Sequence, residues 1–329
     1  MTSPLPELPL PAQLHLLLLR ASGRVPDDTM VELRWALAEG RTADCAAPLA
    51  AAALSGQFPM SAEEIAVLAS CLPPGSPLPE PATTAVDTEP ATPFIPIPPA
   101  TLGAYGDNLP PRLLDSTGDP DGVDAYDQVV LGALNLTRTL GVWRSWRIDL
   151  DAGGNASAAR IYVIEIDVPA PDLPIVTAGA QQALIDEGDQ VSQVEVYRPF
   201  LPLPAYQWAA RAGSALIWAP EPASELNIAA VPEPEAPADP RHPALPGREL
   251  ELALDYLRSA AELTAVTPGP GMLFTDGRWI WSQALTDHLE RYGVLAEPAL
   301  LDHLRTTWFT PGEVDAVAVH RALATLRAG

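Results

Sequence analysis

Residues 272–282 read Met272-Leu-Phe-Thr-Asp276-Gly277-Arg278-Trp279-Ile280-Trp281-Ser282, and this stretch decides how the C-terminal part of the chain folds. Two short runs of strand-forming residues flank the Asp-Gly pair, which favours a two-residue hairpin turn because glycine accepts positive φ. Ser282 has the side chain of a helix N-cap, and Gly293 is placed to end that helix. The stretch therefore predicts a compact hairpin followed by a helix. It predicts no chemical site.

The two tryptophans of this hairpin alternate with Ile280, so both side chains point to one face of the predicted strand. Packing in a core is the simpler interpretation, because tryptophan buries a large area. The alternative is an aromatic anchor in a protein interface, since tryptophan is enriched among binding hot spots and an arginine is adjacent. The residues predicted to bind a partner are Arg278, Trp279 and Trp281, together with Phe94, Ile95 and Ile97 of a proline-rich segment.

The chain has 329 residues, 47% of them hydrophobic, which is enough for two or three domains with real cores. Its 19 basic residues are all arginine, and it contains 38 prolines. Without lysine the chain forms neither a Schiff base nor a P-loop phosphate site, so lysine aldolases, pyridoxal-phosphate enzymes and Walker-type nucleotide hydrolases are excluded. The mixture of Ala, Pro, Leu, Gly and Arg is typical of GC-rich bacterial coding sequences.

A formal net charge of −23 argues against a nucleic-acid surface and against an anionic membrane surface, both of which need clustered cations. It is compatible with simple solubility, or with a basic protein partner in a homo- or hetero-oligomer. Cys45 and Cys71 are too few for a disulfide framework, and free thiols are usual in a reducing compartment. No apolar stretch reaches the length of a membrane span. These features predict a cytoplasmic bacterial protein whose partner is another protein.

Helix, strand and turn signals predict a multidomain α+β fold. It has an N-terminal helical bundle, a central four-stranded α/β sheet domain, and a C-terminal helical module with a β-hairpin. The capping box formed by Ser61 and Glu64 supports the bundle, and Thr310-Pro-Gly-Glu313 predicts that the last helix begins at Thr310. The predicted boundaries are 1–72 for the bundle, 73–104 for a Pro-rich linker, 105–222 for the sheet domain, 223–246 for a Pro/Glu-rich linker and 247–329 for the hairpin-plus-helices module.

The central domain alternates helices and strands in an order that predicts a sheet with helices on one face. The predicted strands are 142–150, 160–168, 194–197 and 215–218, and a Gly-rich connection at 151–155 joins the first two.

Several hydrophobic-pattern motifs of this domain resemble the C-terminal domain of the SseB (enhanced serine sensitivity) family over residues 107–219. They are Val142-Trp-Arg-Ser-Trp146, Tyr162-Val-Ile-Glu-Ile166, Asp172-Leu-Pro174, Val194-Glu-Val196, Leu203-Pro-Ala-Tyr206 and Ala215-Leu-Ile-Trp218. The resemblance implies a bacterial, cytoplasmic, interaction-type domain, and it transfers no catalytic residue. The hairpin with its Thr-Asp-Gly-x-Trp-x-Trp pattern resembles modules of uncharacterised bacterial proteins, some in toxin–immunity neighbourhoods.

An acidic cluster before the first helix of the central domain is the best metal hypothesis. Its members are Asp119, Asp121, Asp124 and Asp127. An EF-hand loop beginning at Asp119 would need an acidic residue at its twelfth position, where Val130 stands. Aspartates before a helix also serve as caps and favour the helix dipole, so capping is preferred over calcium binding. The sequence predicts no metal and no cofactor.

The histidines and nucleophiles lack the spacing that catalysis requires. The pairs Asp287-His288 and Asp302-His303, with His320, do not have the four-residue spacing of a zincin, so solvated or capping histidines are the expectation. Neither Ser157 nor Ser214 has the Gly-x-Ser-x-Gly setting of a hydrolase, and both cysteines lie in apolar helical sequence. The Gly269-Pro-Gly271 run lacks the setting of a phosphate loop.

The leading hypothesis is a non-enzymatic protein-interaction, adaptor or immunity-type protein. The first alternative is an enzyme or small-ligand-binding protein with a site in the central sheet domain, built from Asp149, Asp151, Glu165 or Asp167. The second alternative is a structural subunit of a larger assembly. Capture of a protein partner favours the first hypothesis, and a co-purifying small molecule or metal favours the first alternative.

Overall fold

The computed structural model describes residues 8–83, 87–88, 90, 92–150, 156–223, 228–234, 244–263 and 272–328. The protein is of the mixed α+β class, with helices and two sheets. Its contacts divide it into two compact units. The larger unit comprises residues 1–112 and 116–220, and the smaller unit comprises residues 113–115 and 221–329.

Four helices form the N-terminal part of the larger unit: α1 (Leu10–Ala21), α2 (Asp27–Ala38), α3 (Thr42–Leu54) and α4 (Ala62–Cys71). The capping box predicted at α4 is present, because Ser61 accepts from the backbone of Glu64 and Glu64 accepts from the backbone of Ser61. The apolar faces of the four helices meet in one core that includes Leu14, Met30, Leu49 and Leu68.

A sheet forms the rest of the larger unit. Its strands are β1 (Phe94–Ile95), β3 (Thr139–Leu150), β4 (Ala156–Ile166), β5 (Gln193–Tyr197) and β6 (Ser214–Trp218), while β2 (Leu114–Asp115) belongs to the smaller unit. The order is β6-β3-β4-β5, with β1 also on β3. The β4–β5 pair is parallel, and the β3 pairs are antiparallel. The accompanying helices are α5 (Ala125–Ala133), α6 (Leu173–Asp186) and α7 (Ala205–Ala212).

The edge strand β5 is covered by helices, although it lies at the end of the sheet. All five of its residues are buried. His15 of α1 donates through Nε2 to the carbonyl of Val196 at 2.7 Å, and Gln181 of α6 accepts from the Val194 amide at 3.2 Å. Side chains therefore satisfy backbone groups that an open edge would offer to another chain.

A buried ion pair also joins the N-terminal helices to this strand. Arg34 of α2 donates to Glu195 Oε1 at 2.5 Å and to Gln193 Oε1 at 2.7 Å. Ser22 and Gln207 each donate to Glu195 Oε2 at 3.0 Å. Arg34 and Glu195 are only 3% and 1% exposed. Burial raises the pKa of Glu195, against the effect of Arg34 and the hydrogen bonds.

These contacts change the predicted domain layout. The sequence predicted a bundle at 1–72 and a sheet domain at 105–222, separated by a linker. The structure groups both into one unit, because buried polar side chains of α1 and α2 pair with β5. Hydrophobic periodicity does not reveal such pairing, because the paired residues are far apart in the sequence.

The Pro-rich segment at 73–104 is partly built into this unit, instead of being only a linker. Phe94 and Ile95 pair with Arg147 and Trp146 of β3. The Phe94 ring meets the Tyr206 ring edge-on at 5.3 Å. Gly213 allows this approach, because a Cβ there would lie 2.3 Å from the Phe94 carbonyl oxygen.

The buried histidine of α1 makes the stability of the larger unit dependent on pH. Burial lowers the pKa of His15 to about 4, whereas an unfolded histidine titrates near 6.5. The unfolded state therefore binds more protons between these values, so stability is lost as the pH falls from about 6.5 to 4, by about 3 kcal/mol. We expect His15→Gln to flatten this part of the profile. Denaturant unfolding at pH 7, 5.5 and 4 measures the free energy of unfolding of the wild type and of the variant. If both lose the same stability as the pH falls, His15 is not the group responsible.

The smaller unit has a four-stranded sheet in the order β7-β10-β9-β8. Its strands are β7 (Ala229–Ala230), β8 (Ala261–Glu262), β9 (Leu273–Thr275) and β10 (Trp279–Ser282). Its helices are α8 (Gly247–Ser259), α9 (Gln283–Tyr292), α10 (Pro298–Thr306) and α11 (Ala316–Ala328). Strand β7 falls in the segment predicted as the second linker, and it pairs in parallel with β10.

Two details of the local predictions are wrong. Helix α11 begins at Ala316 instead of Thr310, because Asp315 and not Thr310 accepts from an amide of its first turn, that of Ala318. The strand predicted to begin at residue 142 begins at Thr139. Gly293 does end α9 in the left-handed conformation, with φ 68°. No helix within the described part of the chain is both long and apolar enough to cross a bilayer.

Candidate functional site

The hairpin turn of the smaller unit is held by one carboxylate. Asp276 Oδ1 accepts from the amides of Arg278 and Trp279 at 2.9 and 2.7 Å. Gly277 has positive φ, at 89°, and the three residues from Asp276 to Arg278 separate β9 from β10, one more than in the predicted two-residue turn. The aspartate side chain replaces backbone pairing, as it does in an Asx turn.

The other oxygen of the same carboxylate binds two side chains from distant elements. Tyr256 of α8 donates to Asp276 Oδ2 at 2.7 Å, and His303 Nε2 of α10 lies 2.9 Å from the same oxygen. Burial, together with the hydrogen bond to this carboxylate, raises the pKa of Tyr256. The Asp276 side chain is 1% exposed, and each oxygen has two partners. Such a carboxylate has a structural role, because its lone pairs are occupied.

The predicted partner-binding residues of the hairpin lie in three different environments. Trp281 is buried at 1% exposure in the core with Tyr256 and Leu285, so it is not available to a partner. Trp279 is partly buried, and its ring lies 6.5 Å from that of His303. Arg278 is exposed. We call Arg278, Trp279 and His303 the hairpin surface.

The predicted contact residues of the Pro-rich segment are used inside the larger unit. Phe94 and Ile95 are partly buried in β1, and Ile97 is buried. Ile97 therefore has little free surface, whereas Phe94 and Ile95 keep part of theirs while pairing with β3.

Directly after α10 lies an exposed tryptophan that the sequence did not single out. The Trp308 amide donates to the Arg305 carbonyl at 3.1 Å, and the Phe309 amide donates to the Leu304 carbonyl at 2.8 Å. This is a Schellman cap, in which glycine is the usual residue. Trp308 and Phe309 have φ of 55° and 52°, a conformation that costs about 1–2 kcal/mol for a residue with a Cβ.

The two aromatic side chains of this cap lie in different environments. Phe309 packs against the core that contains Leu304, as the C-terminal residue of a Schellman cap commonly does. Trp308 is 86% exposed. The chain therefore tolerates backbone strain at Trp308 without burying its side chain, and such strain is typical of functional positions.

Two members of the predicted acidic cluster are paired with arginines, which occupies oxygens that calcium would need. Asp127 accepts from Arg144 and Tyr162, and Asp124 accepts two bonds from Arg160 at 2.8 and 2.7 Å. Although burial opposes it, the Arg160 guanidinium holds the pKa of Asp124 below its ordinary value. Asp119 and Asp124 cap helical turns, as expected. Across the described ranges, no group of three potential metal ligands converges.

The carboxylates of the enzyme hypothesis do not converge. Asp149 of β3 and Glu165 of β4 lie at opposite ends of the β3–β4 ladder. The distance between these two positions along β4 is eight residues, or about 26 Å. Asp167 lies on the surface beside Arg138. Asp151 lies outside the described residues, as do the 151–155 connection and Gly269-Pro-Gly271. Asp149 lines a cavity of about 470 Å³, where Arg147 donates to it and to Asp27.

His288, His303 and His320 are packed or paired, contrary to the expectation of solvated or capping side chains. His288 and His320 are buried, and His320 Nε2 lies 2.7 Å from the carbonyl of Leu114. Cys45 is buried in the helical core, where burial raises the pKa of its thiol to about 12 and so disfavours a nucleophilic thiolate. Ser214 donates to the Arg211 carbonyl.

Comparison with known proteins gives no match: no family model, no curated protein and no solved structure resembles this chain significantly.

Proposed function

We propose that this chain is a non-enzymatic protein-interaction protein of the adaptor or immunity type, and that the hairpin surface contacts its partner. The observation that carries the proposal is the fixed turn at Asp276. Four hydrogen bonds hold the carboxylate, so Arg278 and Trp279 are presented without the need to order a loop on binding. Such preorganisation lowers the entropic cost of association.

The residue types of the hairpin surface also support an interface. Arginine and tryptophan are enriched among residues that contribute most to protein–protein binding. Trp279 has its ring against His303 and its neighbour Arg278 in solvent, so one side of the tryptophan is supported by the fold. The carboxylates, histidines and cysteine that the sequence suggested as reactive groups are instead paired or buried, and they lie at separate places.

We also propose that residues 107–219 are an SseB-like domain in a bacterial, cytoplasmic protein. What supports this proposal is the set of hydrophobic-pattern motifs between residues 142 and 218, which resemble those of that family. The proposal that the protein has a basic partner is supported by the net charge of −23.

The test is capture of a partner by the full chain and by two arginine variants. We expect Arg278→Ala to weaken partner binding at least tenfold, because an exposed arginine beside a tryptophan is placed as a hot spot. Arg291→Ala is the matched control, since Arg291 is also exposed in the smaller unit. Titration of the captured partner by calorimetry measures both.

Equal affinities for the Arg278 and Arg291 variants would contradict the hairpin surface as the contact. Purification of the chain with a stoichiometric small molecule or metal, and without a protein partner, would contradict the interaction function itself.

A further inference from the structure

We infer, on the basis of the proposed function, that Trp308 and the C-terminal end of α10 bind a lysine or arginine side chain from a basic segment of the partner protein. The place is one helical turn from the hairpin surface, because the Thr307 amide donates to the His303 carbonyl at 2.9 Å.

The first support is that the Trp308 side chain does nothing evident for the fold. Its ring is 86% exposed, while its backbone occupies the cap position where glycine is unstrained. Phe309 supplies the apolar contact of the cap. Phe200 shares the exposed ring and the positive φ, so what distinguishes Trp308 is the charge around it and the chemistry of its ring.

The second support is the electrostatic setting of the ring. The carbonyl end of a helix carries partial negative charge and favours cations. Asp302 of α10 has a side chain that is 78% exposed and lies 3.8 Å from Arg305. Arg305 also pairs with Glu249 at 2.7 Å, so one guanidinium faces two carboxylates and the local charge remains negative. A cationic ligand is therefore preferred at this helix end.

The third support is the chemistry of the indole itself. Tryptophan has the aromatic face that binds cations best. Inside the larger unit the same pairing occurs between the chain's own residues: Arg211 lies 4.7 Å from the Trp143 ring, and Arg160 lies 4.7 Å from the Trp146 ring. In the described part of the chain, no arginine lies over Trp308. Its face is open to a cation from another molecule.

The test uses the indole N–H signals of the eight tryptophans in a two-dimensional NMR spectrum of the full chain. Trp308→Gly identifies the Trp308 signal by its loss. The probe is a short peptide of alternating glycine and arginine, and its control is the same peptide with citrulline, which keeps the shape and removes the charge. We expect the arginine peptide to shift the Trp308 signal and the citrulline peptide to leave it unchanged.

The affinity of the captured partner gives the second readout. We expect Trp308→Gly to weaken it about tenfold, as loss of one desolvated cation–π contact predicts. The melting temperature of this variant should be no lower than that of the wild type, because glycine fits the cap. Phe200→Gly is the matched control: Phe200 lies in the larger unit, is 88% exposed and has φ 66°.

The inference is overturned if both peptides shift the Trp308 signal equally, if neither does, or if Trp308→Gly binds the partner with wild-type affinity. The proposed function can fail separately. If Arg278→Ala loses the partner and Trp308→Gly keeps it, only the inference fails. If Trp308→Gly loses it and Arg278→Ala keeps it, the hairpin surface fails as the contact and the Trp308 site stands.

Discussion

Replacement of Arg34 by methionine is expected to lower the free energy of unfolding of the larger unit by about 3–5 kcal/mol. The substitution leaves the Glu195 carboxylate buried without its counter-charge, and Gln193 loses its donor. The loss exceeds that of an exposed ion pair, which contributes about 0–1 kcal/mol. Denaturant unfolding at pH 7 measures it.

The control is the double variant Arg34→Met with Glu195→Gln, which removes both charges. We expect it to recover most of the lost stability, because the amide still bonds with Ser22 and Gln207 and carries no charge. In the single variant the deficit should shrink as the pH falls, since burial raises the pKa of Glu195 and protonation removes the buried charge. Equal stability of the Arg34 variant and the wild type would contradict the role of the pair.

Replacement of Asp276 by alanine is expected to lower the free energy of unfolding of the smaller unit by about 2–4 kcal/mol. The change removes the acceptor of two backbone amides and two side chains, and Tyr256 is left buried without this partner. The turn also loses its fixed shape, so partner affinity should fall with it. Thermal unfolding and calorimetric titration of the partner measure the two effects.

Asp276→Asn serves as the graded control, because its carbonyl oxygen can still accept from Arg278 and Trp279 while its amide group is a poor replacement for Oδ2. It should lie between the alanine variant and the wild type. An alanine variant as stable as the wild type would show that the turn does not depend on the carboxylate.

The sequence predicted elements well where the signal is local. The strand predicted at 160–168, in which Tyr162, Ile164 and Ile166 alternate, corresponds to β4, and the capping box predicted at Ser61 and Glu64 begins α4. These patterns follow from the backbone geometry of a strand or a helix, so a single segment contains the information.

What the sequence could not predict depends on distant contacts. The two-residue strand β1 exists because β3 pairs with it and because Gly213 leaves room for Phe94. One local feature of the sequence indicated that the bundle and the sheet are joined. It is an arginine on the apolar face of α2. Arg34 follows Met30 by four residues and Leu33 by one, a position that requires a buried partner.

The site was predicted in part for the same reason. Arg278 and Trp279 of the candidate site were proposed from the sequence because the hairpin is local, whereas the Asp276–His303 contact spans 27 residues. Trp308 was missed because the sequence has no glycine at the end of α10. Pro311 and Gly312 instead suggested a helix start, and the left-handed conformation of Trp308 cannot be deduced from that pattern.

Amide hydrogen exchange of the full chain with and without its captured partner locates the contact in the chain. Added protection is expected to be concentrated in β9 and β10 with their turn, and in the segment from His303 to Thr310. Protection confined to the β3–β4 ladder, or to the cavity beside Asp149, would contradict the hairpin surface as the contact.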